Sequence, residues 1–186
     1  MILRRLLARL RREERGMVLV ETAFALSVLS FTTLAGVEIG RFVLLTQKLD
    51  RAAASVADMA AQGSTISVGD LNNLFSAAGE IVKPFALSGD GTVIVSSVSK
   101  NGTNPAKLDW QRSGGGSLSV GSAIGVAGGV ASLPGDLIVR AGEEIIVAEV
   151  YYNFTPWLAP DVAPAAQLYH RAFFRPRQGP LTTLLP

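Results

Sequence analysis

The sequence predicts one long helix able to cross a membrane, followed by a small soluble α+β domain with one short helix and an antiparallel β-sheet. Three observations carry this reading. An unbroken apolar run lies near the N-terminus, an amphipathic stretch ending at Pro84 follows it, and short β-branched segments then alternate with glycine- and asparagine-bearing turns. A chain of 186 residues suits one domain with an appendage. Its mean hydropathy of +0.34 is too high for a disordered chain. The absence of cysteine excludes a disulfide framework, a thiol nucleophile and a thiolate metal site. The lone histidine, His170, excludes a His-rich metal site, and no cofactor is expected.

The formal net charge of +2 joins two unlike parts. Residues 1–16 hold Arg4, Arg5, Arg9, Arg11, Arg12 and Arg15 against Glu13 and Glu14, so the remainder is net acidic. A basic prefix of this kind argues against a globular nucleic-acid-binding face. Placed before an apolar helix, it reads as a cytoplasmic anchor to anionic lipid that orients the chain positive-inside.

The first element follows directly. From Met17 to Val37 the chain is apolar with one charged residue, Glu21, and at ~1.5 Å per residue it covers about 31 Å, close to the hydrocarbon thickness of a bilayer. No proline interrupts it, and the pattern runs on through Glu38, Arg41, Lys48, Asp50 and Arg51 into an alanine-rich stretch. One helix over 17–62 is expected, membrane-spanning at about 17–38, with Gly63 and Ser64 as its stop. Gly36 and Gly40 form a G-x-x-x-G pair suited to close helix approach. Glu38 and Arg41, three residues apart, read as a solvated ion pair where the helix leaves the lipid.

The junction Arg15-Gly16-Met17-Val18-Leu19-Val20-Glu21 is unusual for a secretory signal, because its distinctive residues lie before and just inside the apolar run. It resembles the class III signal of type IV pilins and pseudopilins. The resemblance implies cleavage by prepilin peptidase on the cytoplasmic side, between Gly16 and Met17, with residues 1–16 as the leader. A carboxylate inside the bilayer costs on the order of 2.5–3.5 kcal/mol on insertion scales, and such groups usually mark a functional contact. After cleavage, the new Met17 amine of a neighbouring subunit is the natural partner for Glu21.

Residues 63–186 form the soluble domain in this reading. Asp70 is expected to cap a helix whose core face is Leu71, Leu74, Phe75, Ala78, Ile81 and Val82, ended by Pro84. The β-branched segment 92–98, the Asn101-Gly102 turn and a strand over 107–112 make a hairpin. The glycine-rich stretch 113–135 reads as loop, without the spacing of a phosphate-binding motif. The segment 143–154 is the clearest strand, with Val147, Glu149, Tyr151 and Asn153 on one side and an apolar face on the other. A weaker strand over 168–175 completes the sheet, and its Arg171, with Arg175 and Arg177 beyond, reads as charge guarding an edge. The carboxylates Asp109, Asp136, Glu149 and Asp161 lack a pairing pattern, and no nucleophile motif accompanies His170, so no catalytic activity is expected.

Taken with Glu38-Ile39-Gly40-Arg41, Trp110-Gln111-Arg112, the segment 149–156 and Phe174-Arg175-Pro176-Arg177, the chain resembles the TadE-like minor pseudopilins of tight-adherence (Flp, type IVc) pilus systems. That resemblance implies a type IV pilin-like helix in the inner membrane, N-terminus cytoplasmic and C-terminal domain periplasmic, with a place either there or in the extracellular pilus, and a part in pilus assembly, initiation or tip. It implies as partners prepilin peptidase, other minor pilins, the major Flp pilin, the inner-membrane assembly platform and membrane lipid, with no nucleic acid. Two other readings remain open at this level: a pseudopilin of type II secretion, and an uncleaved signal-anchored periplasmic protein.

Overall fold

The computed structural model describes residues 15–135, 137–158 and 162–186. The leader residues 1–14, Asp136 and Asp161 lie outside the described residues. Helix α1 runs Arg15–Ala60, two short of the expected end at Gln62; the chain then turns through Ala61 and Gln62. The chain forms two compact units: residues 1–41 with 156–164, and residues 42–155 with 165–186.

In the first unit, α1 is apolar on all sides. Met17, Val18, Leu19, Val20, Phe24, Leu26, Val28, Leu29 and Phe31 are all exposed, Met17 at 72%. No part of the most apolar window is buried within the protein, and the helix is long and apolar enough to cross a membrane. That character is compatible with a single span or a signal anchor.

In the second unit the rest of α1 buries a helical stripe of Leu45, Leu49, Ala52, Ala53, Val56 and Ala57. Strand β1 (Ile66–Ser67) leads into α2 (Val68–Val82). The N-cap is Ser67 rather than Asp70: Ser67 Oγ accepts the Asp70 N–H at 3.1 Å, while the Asp70 carboxylate accepts the Ser67 N–H at 2.9 Å. This is a capping box three residues wide, with Asp70 in its acidic position. Of the six residues expected on the core face, Leu71, Phe75, Ala78 and Val82 are buried, and Leu74 and Ile81, at its margins, are half-buried. The domain holds a second short helix, α3 (Leu87–Asp90), where the sequence predicts only one.

Four antiparallel strands make the sheet: β2 (Gly91–Ser99), β3 (Lys107–Gly114), β4 (Glu144–Phe154) and β5 (Ala166–Phe174), in the order β3-β2-β4-β5. A parallel pair of β1 with β6 (Leu184–Leu185) returns the C-terminus to the start of α2. The expected single apolar face of β4 is corrected here, because β4 is buried on both faces except at Asn153. Phe154 meets Phe42 of α1 edge-on, with ring centroids 5.2 Å apart. On the opposite face, Val147 packs with Val98, Leu108, Ile145, Ile124 and Val139, the last two from the long stretch between β3 and β4. That stretch is loop, as expected, and it acts as a second covering layer.

Candidate functional site

In the apolar part of α1, residues 17–37, four hydroxyls are satisfied by the helix itself. Thr22, Ser27, Thr32 and Thr33 donate to the carbonyls of Val18, Ala23, Val28 and Leu29 at 2.7–2.9 Å. Such back-bonding lets a polar residue sit in an apolar medium without a stranded donor. Glu21 differs. It is exposed, and it has no hydrogen bond or ion pair among the described residues. Gly16 and Met17 occupy the first turns of the helix, and Met17 lies one turn before Glu21 on the same chain. Gly36 and Gly40 are exposed on α1, and a Cβ built at either would meet nothing within 4 Å. The pair therefore leaves a shallow, open stretch of backbone on the apolar helix.

Between and just beyond these glycines, the reading of Glu38 and Arg41 as a solvated pair is overturned. Glu38 is fully buried. Its Oε1 accepts from Arg41 Nη1 at 2.7 Å, and its Oε2 accepts the backbone N–H groups of Trp157 at 3.1 Å and Leu158 at 2.8 Å. Arg41 lies with its guanidinium carbon 3.7 Å from the Trp157 ring centroid. The carboxylate thus binds a loop from far along the chain to the helix. Charge-assisted bonds to two adjacent N–H groups are what make burial of this ion tolerable. Nothing local in the Glu-x-x-Arg spacing shows such a loop, and Trp157 is the residue that sequence reasoning missed.

A second buried carboxylate organises the sheet. Glu149 on β4 is fully buried, and it accepts from Ser122 Oγ, from Ala123 N–H at 3.0 Å and from Tyr169 Oη at 2.9 Å, with Tyr151 Oη at 3.3 Å. Burial, followed by the Glu149 charge, pushes the Tyr151 phenol up to about 12. Burial and then the hydrogen bond to Glu149 raise Tyr169 as well. Glu144, at the other end of β4, accepts from Ser97 Oγ and Leu181 N–H, both at 2.7 Å, and burial raises its pKa. These groups pin covering segments to the sheet, and each donor is already engaged with its carboxylate. His170 lies 3.7 Å from Asp50 of α1. The arginines near the edge also have partners, Glu143 for Arg175 and Asp58 for Arg177. Among the described residues no cluster of His, Asp or Glu is arranged to hold a metal ion.

The glycine run that invited a phosphate-cradle reading has a packing explanation. A Cβ at Gly114 would enter the Phe75 ring, and one at Gly116 would overlap the carbonyl oxygens of Gly91 and Leu87. Glycine is required there because α2, α3 and β2 come so close.

No family model, curated protein or solved structure matches the chain. Its chemistry therefore rests on its own residues, chiefly the exposed apolar stretch 17–37 with its one acid, Glu21, and the Glu38–Arg41–Trp157 cluster.

Proposed function

We propose that the chain is a minor pilin or pseudopilin of a tight-adherence (type IVc) pilus, cut by prepilin peptidase between Gly16 and Met17 and acting in pilus assembly, initiation or tip formation. The observation that carries the proposal is the single carboxylate of the apolar stretch 17–37, Glu21, exposed one turn inside it and preceded by Gly16 and an arginine-rich prefix. A span meant only to hold a protein in lipid has no use for that charge. A helix that leaves the bilayer to join others does, because the charge favours docking against the cationic Met17 amine of a neighbour. In this reading the N-terminus is cytoplasmic and residues after the span are periplasmic. The soluble domain binds other minor pilins, and the helix packs among those of the major Flp pilin as the inner-membrane platform drives assembly.

The test is Glu21→Ala in the native host. The proposal expects normal membrane insertion and loss of piliation. Normal piliation by that variant removes the role assigned to Glu21.

A further inference from the structure

We propose that Trp157 and Leu158 form an interfacial anchor, seated among phospholipid headgroups at the outer end of the span and held at that depth by Glu38. The inference rests on the reading that α1 crosses the bilayer, and goes beyond it by assigning a lipid-binding role to a loop far from the span in sequence.

Depth is the first argument. With Met17 at the inner boundary, a rise of ~1.5 Å per residue puts Glu38 about 32 Å away, at the outer boundary of a hydrocarbon layer roughly 30 Å thick. Glu38 takes the N–H groups of Trp157 and Leu158, so the loop is fixed at that level of the helix. Chemistry is the second. Trp157 is 76% exposed although its backbone is tied down, and Leu158 is also exposed, alongside the exposed helix residues Leu34, Val37 and Ile39. An indole, with an apolar body and one N–H donor, is favoured where hydrocarbon meets headgroup. Rigidity is the third. Arg41, paired with Glu38, also stacks on the Trp157 ring, so the indole is held from one face as well as through its backbone. An exposed indole fixed level with the end of a span fits the boundary of hydrocarbon and headgroup better than an apolar helix of a neighbouring subunit, which offers the indole N–H no acceptor.

The experiment uses the full chain in phosphatidylcholine–phosphatidylglycerol vesicles, with integration checked by resistance to alkaline carbonate. Of the two tryptophans, Trp110 is buried and donates from Nε1 to the Leu181 carbonyl at 2.6 Å, so the difference between wild type and Trp157→Phe isolates the Trp157 fluorescence. The expected result is stronger quenching by lipids brominated near the glycerol end of the acyl chain than by lipids brominated near its methyl end. Trp157→Phe should lose this component, and Glu38→Gln should move it toward quenching by acrylamide. An integrated chain whose Trp157 is quenched by acrylamide and by neither lipid overturns the anchor while leaving the span intact. Shielding from both quenchers only at high protein-to-lipid ratio assigns the patch to a second copy, and also overturns it. Extraction by carbonate overturns the span and the anchor together.

Discussion

The Glu38 carboxylate joins Arg41 on one oxygen at 2.7 Å and the N–H groups of Trp157 and Leu158 on the other, so one helical residue holds a cation and a distant loop at once. An ion pair three residues apart on a helix contributes only a few tenths of a kcal/mol when solvated. Buried and bonded to two N–H groups, the same acid becomes the fixture on which the order of the 157–158 loop depends.

Glu38→Gln keeps the volume and removes the charge. A group left unsatisfied costs about 1–3 kcal/mol, and each ~1.4 kcal/mol is tenfold in an equilibrium. Amide exchange at Trp157 and Leu158 should therefore accelerate by about tenfold or more, as read by hydrogen exchange in detergent micelles. Unchanged protection at both amides contradicts the assigned role.

Tyr151 and Tyr169 give the domain a signature in alkaline solution. Both phenols have folded-state pKa values above the ordinary one, so folding favours their neutral forms. Their contribution is complete below about pH 10 and is lost as pH rises through the folded values, about 12 for Tyr151. Denaturation at stepped pH should show stability falling across that window, with a shallower fall in Tyr151→Phe and Tyr169→Phe. At neutral pH, Tyr169→Phe should cost about 1.5 kcal/mol, the lower end for a bond to a charged group, because the ring is only partly buried. Parallel pH profiles for wild type and both variants would contradict the Glu149 assignment.

Gly116→Ala tests the packing explanation of the glycine run. The added methyl meets two backbone carbonyls that cannot rotate away, so the strand or α3 must shift. Overpacking of this kind costs about 1–3 kcal/mol. Thermal unfolding should show a clear loss of stability, whereas the same change at Gly121, where a Cβ meets nothing within 4 Å, should be nearly silent. Equal effects at the two positions would reject steric crowding as the cause.

How far these features were legible depends on how local their causes are. The strand at β4 announces itself through Ile145, Ile146, Val147 and Val150, and α2 through its apolar spacing. Ser67 was also within reach, since Ser-x-x-Asp is a capping box, but Asp70 alone satisfied the simpler N-cap rule. Glu149 misled for a physical reason. A charged residue on an alternating strand reads as solvent-facing, and only the return of Ser122 and Ala123 from the glycine-rich stretch shows that it is covered. Glu38 and Trp157 are 119 residues apart, a separation at which periodicity and spacing carry no information. The junction at Gly16 is the reverse case, because its signal is wholly local while its meaning lies in a peptidase and in other subunits.

The most direct measurement is the mass of the N-terminal peptide of the chain isolated from native membranes and surface filaments. The account predicts a peptide that begins at Met17, with or without a methyl group on its amine, and the leader retained only when Gly16 is replaced by a larger residue. A peptide from assembled particles in which Arg15-Gly16 is still joined to Met17 would contradict it.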